Sequence, residues 1–163
     1  MDVQGADKAR PFVEKAGATF TTVVDDSNLL GQQYGFKAIP NGFLIDETGK
    51  VEYKRLGGFD IRRADTKQIV EEWAAQSVAP EGETEYPALG DEHTEANRLF
   101  VLGKAMLEAG DRDGALSEWR KAAALEPDNW IVRKQIWALE HPDRFYDGDV
   151  DFAWQREQIA REP

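Results

Sequence analysis

The chain has 163 residues, of which 41 % are hydrophobic, so it is long enough for one domain or two small ones with a packed core. Its formal net charge of −11 argues against nucleic-acid binding, because phosphate contacts need clustered lysine and arginine. The sequence contains no cysteine, which excludes disulfides, thiolate catalysis and thiolate metal ligands.

Targeting signals are absent from the sequence as given. There is no run of about 18 apolar residues, so we expect no membrane span. The first residues, Met-Asp-Val-Gln-Gly, lack the basic and apolar parts of a signal peptide. The composition leaves the compartment open, and the missing signal favours the cytoplasm.

The first 35 residues predict a helix, a strand and a second helix. An apolar stripe predicts a helix over about 8–16. β-Branched and aromatic residues predict a strand over 20–24. Asp26 or Ser27 then caps a short helix, which Gly35 ends.

A β-hairpin and a helix follow in the sequence. The apolar run from Phe43 to Ile45 predicts a strand, and the next residues, up to Gly49, predict a turn. Alternating residues over 51–55 predict the returning strand. Apolar residues on one face then predict a helix over about 62–76.

The pattern Ile-Pro-x-x-Phe-Leu-Ile-Asp-x-x-Gly, which starts at Ile39, resembles the back half of a thioredoxin-like redoxin domain of the ResA-like and TlpA-like group. The resemblance covers about residues 1–76 and implies an α/β fold with a cis peptide bond between Ile39 and Pro40. In that family the proline faces a Cys-x-x-Cys pair, which this protein lacks. Ile39 and Pro40 would then be a remnant of the redox site.

The family's first strand–helix–strand unit is also missing, which implies an incomplete thioredoxin-like sheet. The strand from Phe43 to Ile45 would lose its usual neighbour, and its apolar side chains offer no charge to protect the edge. We therefore expect a homodimer that forms through this edge. The alternative is that residues 20–24 cover the edge within one molecule.

A change in composition divides the sequence. Residues 78–92 are rich in proline, glycine and glutamate, which predicts a linker between a domain over 1–77 and a helical domain over 93–163. Residues 1–78 hold 10 Lys+Arg and 12 Asp+Glu, whereas residues 79–163 hold 10 and 19. The acidic charge is thus concentrated in the second part.

Residues 96–129 resemble one tetratricopeptide repeat. The matched positions are Leu99, Leu102, Gly103, Met106, Ala115, Trp119, Ala122 and Pro127. The resemblance implies two helices that approach closely at Gly103, with Trp119 and the other apolar residues in the seam. Residues 129–140 indicate a capping helix, and a last helix is predicted over about 151–160. The whole is a C-terminal all-helical tetratricopeptide-like domain.

Trp130, Arg133 and Trp137 are the candidate peptide-binding groove, since repeats of this type bind extended peptides in a concave groove. At helical spacing the tryptophans fit a packed core as well. The acidic surface favours basic peptide segments. We predict no catalytic residue and no cofactor, and His93 and His141 lie too far apart in the sequence to indicate a metal site.

These observations favour a non-catalytic protein that binds or scaffolds a protein partner. The alternative is the C-terminal part of a thiol–disulfide or selenol oxidoreductase whose redox residues lie upstream of Met1. A third interpretation is a redox-type domain that serves only as a dimer module. A Trp-x-x-(Cys or UGA)-x-x-Cys run in frame before Met1 would favour the enzyme.

Overall fold

The computed structural model describes residues 5–75 and 90–161, and these are mainly helical with one small sheet. The helices are α1 (Ala6–Lys15), α2 (Leu29–Tyr34), α3 (Ala64–Ala74), α4 (Asp91–Glu108), α5 (Arg112–Leu125), α6 (Trp130–Glu140), α7 (Asp143–Tyr146) and α8 (Phe152–Arg161), and the strands are β1 (Gly42–Ile45) and β2 (Val51–Arg55). This confirms mixed α/β structure with a helical C-terminal part. The linker predicted over 78–92 lies almost entirely outside the described residues. Within them, no helix has both the length and the apolar character needed to cross a bilayer.

The hairpin is held by its turn and by cross-strand pairs. The Asp46 carboxylate accepts hydrogen bonds from the backbone N–H groups of Thr48 and Lys50, at 2.9 Å each. Gly49 has a φ of 85°, which a residue with a side chain rarely adopts. Leu44 lies opposite Tyr53 in the antiparallel register, and both side chains are buried. The predicted hairpin is therefore confirmed.

The strand predicted over 20–24 is wrong. Residues 21–25 belong to neither a helix nor a strand, and the sheet of the described residues consists of β1 and β2 alone. Phe20 and Val23 are about three-quarters exposed. A preference for β structure reflects the fit of a side chain to a pleated, half-buried surface, and no neighbouring strand supplies that surface here.

The three side chains of β1 at the predicted dimer edge differ in their exposure. Leu44 is only 7 % exposed, so it is a core side chain. Phe43 contacts the rings of Tyr34 and Phe36, with centroids 4.6 Å and 6.2 Å away. Only Ile45, at 41 % exposure, presents a largely free side chain. The homodimer through this edge stays a prediction.

Helices α4 and α5 pack against each other around Gly103. A Cβ on Gly103 would lie 2.5 Å from Nε1 of Trp119 and 3.0 Å from the carbonyl oxygen of Ala115, so glycine permits this approach. Trp119 is fully buried, and its Nε1–H donates to the carbonyl oxygen of Phe100 at 2.9 Å. Leu102, which we expected in the seam, is 37 % exposed and does not fill it.

The residues before and after the predicted linker contact each other. The backbone N–H of Ile131 at the start of α6 donates to the carbonyl oxygen of Lys37 at 3.2 Å. Phe36, which follows α2, belongs to the same buried cluster as residues of α4, α5 and α6. Asp26 and Lys104 form an ion pair at 3.4 Å. The two parts of the protein therefore share an interface.

Candidate functional site: an apolar cavity

A cavity of about 800 Å³ lies between β1 and helix α6 and opens to solvent. Its walls come from α1, the irregular residues 22–25, β1, α6 and the segment around α7 and α8. Ligand sites in proteins typically enclose about 300–1,000 Å³ and are lined mainly by apolar side chains with a few polar groups. The cavity has this size and this lining.

Two regular elements supply opposite walls. Phe43 and Ile45 are two positions apart on β1, so their side chains leave the same face of the strand, and both line the cavity. Helix α6 contributes a stripe with the spacing i, i+3, i+4 and i+7, namely Ile131, Lys134, Gln135 and Ala138. The other face of α6 carries Val132 and Ile136, which pack in the helical core.

Exposed apolar side chains surround the mouth of the cavity. Phe12, Val23 and Phe152 line it and remain 42 %, 74 % and 62 % exposed. A single exposed apolar residue is ordinary, but a contiguous apolar patch marks an interaction site. The cavity and its mouth thus form one continuous apolar surface, which we call the apolar cleft.

The polar groups of the apolar cleft are few. Lys134 has no carboxylate partner among the described residues, and burial lowers the pKa of its ammonium group. Gln135 is 6 % exposed, and its Oε1 is buried without a hydrogen-bond partner within residues 5–75 and 90–161. Gln155, from α8, is 5 % exposed and also lines the cavity.

Two further polar residues of the cleft already have structural roles. The Asp25 carboxylate accepts from the backbone N–H groups of Leu29 and Leu30 at 2.8 Å each, so it caps α2. The Asn41 side chain donates to the carbonyl oxygen of Ala38 and accepts from the backbone N–H of Gly57. Their hydrogen-bonding groups hold the protein backbone, so they are not free to contact an occupant.

The structure brings the predicted groove residues Trp130, Arg133 and Trp137 together, with the two indole rings 6.2 Å apart, and their role in peptide binding stays a prediction. Trp130 lines the cavity, and the Arg133 guanidinium lies 4.6 Å from the centre of its ring. Trp137 is 5 % exposed and packs edge-on against Trp154, with ring centroids 5.8 Å apart. It is a core residue, so only Trp130 faces the apolar cleft.

The other predicted site residues lie beside the cleft. The Ile39–Pro40 peptide bond is cis, as the resemblance implies. Ile39 lines the cavity and is 38 % exposed. Their role as the remnant of a redox site stays a prediction.

Sequence reasoning missed Lys134 and Gln135. A weak signal was present, because the two polar residues fall on the α6 stripe whose other members, Ile131 and Ala138, are apolar. The stripe alone indicated a buried face. It did not indicate that β1 would lie at a distance from this face of α6 and leave a cavity between the two elements.

A second polar cluster joins the two parts of the protein. The Glu126 carboxylate lies 2.9 Å from Nδ1 of His93, from Nζ of Lys37 and from Nδ2 of Asn129. His93 and Glu126 are about 5 % exposed. Because Nδ1 faces a carboxylate, it donates to Glu126, and Nε2 has no hydrogen-bond partner in the described structure.

Burial alone would raise the pKa of the Glu126 carboxyl. Hydrogen bonds from Asn129, Lys37 and His93 outweigh burial and hold the pKa below its ordinary value of 4.5. The cluster therefore keeps a charged carboxylate at the contact between the loop after α2 and the C-terminal end of α5. This arrangement stabilises the contact between the two parts of the protein.

Metal binding and relatedness give no further guide to function. Within residues 5–75 and 90–161, no group of three or more His, Cys, Asp or Glu residues is placed to hold a metal ion. Comparison with protein-family models, curated proteins and solved structures finds no match. The function is therefore inferred from the geometry of the apolar cleft.

Proposed function

We propose that the protein is a non-catalytic binding module that holds an apolar segment of a protein partner in the apolar cleft. The observation that carries this proposal is the open cavity of about 800 Å³ with exposed apolar side chains around its mouth. Burial of apolar surface is the main favourable term in most protein association.

The exposed mouth favours a macromolecule over a small ligand. A small molecule inside the cavity would leave Phe12, Val23 and Phe152 in contact with water, whereas a partner segment that enters the cavity also covers its rim. The net charge of −11 favours a segment with basic flanking residues, because opposite charges speed encounter and exclude acidic competitors.

The proposal includes the two family resemblances. We propose that residues 1–77 are an incomplete thioredoxin-like domain and that residues 93–163 are a tetratricopeptide-like domain. The hairpin that follows Ile39 and Pro40 supports the first, and the close approach of α4 and α5 at Gly103 supports the second.

The test uses a fluorescent peptide pool in which six positions are drawn from valine, leucine, isoleucine and phenylalanine and three lysines precede them. Val23→Ser combined with Phe152→Ser removes apolar surface from the mouth, and we expect binding to weaken about tenfold or more. The matched control combines Phe20→Ser with Ile61→Ser, since both residues are exposed but neither lines the cavity. Equal losses in the two variants, or no binding to the parent protein, would contradict the proposal.

A second copy of the protein is the other partner that we propose, through the β1 edge at Phe43 to Ile45. Sedimentation at micromolar concentration distinguishes it from a separate partner. If the parent protein is a dimer and the Val23→Ser and Phe152→Ser changes favour its dissociation, the apolar cleft serves self-association. A monomer would contradict the homodimer.

A further inference from the structure

Two consecutive residues of the first part of the protein, Phe36 and Lys37, dock onto the helical part. Phe36 is 8 % exposed and lies in the buried cluster that contains Phe100 of α4 and Ile131 of α6. The carbonyl oxygen of Lys37 accepts from the backbone N–H of Ile131 at 3.2 Å. That N–H belongs to the first turn of α6, where a backbone donor has no acceptor within its own helix. The segment therefore meets an apolar and a polar requirement of the helical part.

The Lys37 side chain contacts an acidic pair that the helical part supplies. Its Nζ lies 2.9 Å from Oε1 of Glu126 and 3.1 Å from Oδ1 of Asp128. His93 and Asn129, which also belong to the helical part, each hydrogen-bond the Glu126 carboxylate at 2.9 Å. The helical part itself thus holds this carboxylate in position, and a preorganised group costs less to bind than one that must first be ordered.

We propose that these groups form a receptor site for a polypeptide segment in which lysine directly follows an aromatic residue, and that Phe36 and Lys37 occupy it within the molecule. A partner with the same two residues places its ring where the Phe36 ring lies, accepts from the N–H of Ile131 and pairs its ammonium group with Glu126 and Asp128. The protein's own segment then competes with the partner. The two carboxylates do not line the cavity, so this is a second site beside the apolar cleft.

The contacts select this occupant over others. A small apolar ligand would fill the place of the Phe36 ring but bring no ammonium group to the Glu126 carboxylate, and a buried charge is costly unless it is paired. A free amine or a metal ion offers charge without the apolar group. An acidic segment would meet the concentrated negative charge of residues 79–163, which hold 19 acidic and 10 basic residues. An aromatic residue followed by lysine supplies the ring, the carbonyl oxygen and the cation together.

The protein's own segment determines how tightly a partner can bind the parent protein. A ligand tethered by a short flexible connection has an effective concentration of about a millimolar, so a free peptide must compete with it. When the binding-competent state is rarely populated, the apparent affinity falls in proportion. Removal of the two side chains that occupy the site should therefore strengthen the binding of a free peptide.

The test uses the labelled peptide acetyl-Gln-Tyr-Gly-Phe-Lys-Ala-amide, which reproduces the protein's own segment, and the full-length double variant Phe36→Ala with Lys37→Ala. By fluorescence anisotropy, we expect the double variant to bind this peptide about tenfold or more tightly than the parent protein does. The matched control combines Ile61→Ala with Lys67→Ala, since Ile61 is half exposed and Lys67 pairs with Glu71 within α3. The control should bind no more tightly than the parent. Equal binding by the double variant and the control would overturn the inference.

A second peptide with glutamate in place of lysine tests the acidic pair. We expect the double variant to bind it about tenfold or more weakly, because it brings a third carboxylate to Glu126 and Asp128. Asp128→Asn in the same background should reduce the ratio of the two affinities. Equal binding of the lysine and glutamate peptides by the double variant would contradict the lysine preference and the inference with it.

The same peptides decide the question if the double variant is unfolded on its own. A ligand that binds only the folded state shifts the equilibrium toward that state. The lysine peptide at millimolar concentration should then restore the helical circular dichroism signal, and the glutamate peptide should not. Absence of this restoration, or of binding by a folded double variant, would overturn the inference.

A last comparison separates this site from the apolar cleft. In the double variant, the further changes Val23→Ser and Phe152→Ser should leave the affinity for the lysine peptide unchanged. A loss of about tenfold would place the peptide in the apolar cleft, which would support the proposed function and overturn this inference.

Discussion

Replacement of Trp119 by alanine should cost a large part of the stability of the helical part of the protein. The side chain is fully buried, its ring stacks on Phe100 with centroids 5.9 Å apart, and its Nε1–H donates to the Phe100 carbonyl oxygen. Truncation of a buried aromatic residue costs about 3–5 kcal/mol through lost burial and the cavity that remains.

The surroundings of Trp119 place the expected loss of unfolding free energy in Trp119→Ala near the upper end of this range. The indole fills the space that Gly103 leaves open, and Gly103 has no side chain that could move into the resulting void. Trp119→Phe keeps most of the apolar contact but removes the indole donor, so we expect a smaller loss of about 1–3 kcal/mol. The total stability of a domain is about 5–15 kcal/mol, so either change is measurable.

Urea unfolding followed by circular dichroism is the appropriate assay, because loss of a tryptophan alters the fluorescence directly. Phe20→Ala is the control: the side chain is 75 % exposed, and its removal should change the free energy of unfolding by less than about 0.5 kcal/mol. An unfolding midpoint of Trp119→Ala equal to that of the parent would refute the packing argument for α4 and α5.

Three further predictions concern the same structure. Gly103→Ala should destabilise the protein by about 1–3 kcal/mol in urea unfolding, because the new alanine Cβ would lie 2.5 Å from Nε1 of Trp119. The control Ser117→Ala, on the exposed face of α5, should have little effect. The lowered pKa of Glu126 contributes stability above pH 4.5, and this stability is lost as the pH falls through the pKa of the folded state. Glu126→Gln should therefore flatten the acid side of a plot of the free energy of unfolding against pH. An unaltered plot would contradict this role. In the presence of dithiothreitol the protein should reduce insulin no faster than the blank, because the sequence has no cysteine to supply a thiolate, and a faster rate would contradict this.

Local sequence patterns predicted most of the elements. The turn at Asp46 and Gly49 specified the hairpin, because the carboxylate accepts from the backbone and glycine adopts a positive φ. Side-chain caps act over the same short range, as at Asp111 and Asp151, but the predicted cap of α2 was wrong: Asp25, rather than Asp26 or Ser27, accepts from the backbone N–H groups of Leu29 and Leu30. Such signals act within a few residues and so can be read from the sequence.

Features that depend on distant residues were predicted poorly. Residues 20–24 have the composition of a strand, but no neighbouring strand is present among the described residues to pair with them. Trp137 and Trp130 both lie on α6, and Trp137 is buried where the distant residue Trp154 of α8 packs against its ring. The apolar cleft escaped prediction for the same reason, since it arises where β1 and α6 fail to meet.

Isoleucine methyl resonances provide the most direct test of the apolar cleft as a binding site. Ile39, Ile45 and Ile131 line the cavity, and Ile131 also belongs to the helical core, whereas Ile136 packs in that core and does not line the cavity. On addition of the apolar peptide pool with three leading lysines, we predict that the methyl signals of the three lining residues shift while that of Ile136 stays in place. Saturable binding without shifts at the three lining residues would contradict the account.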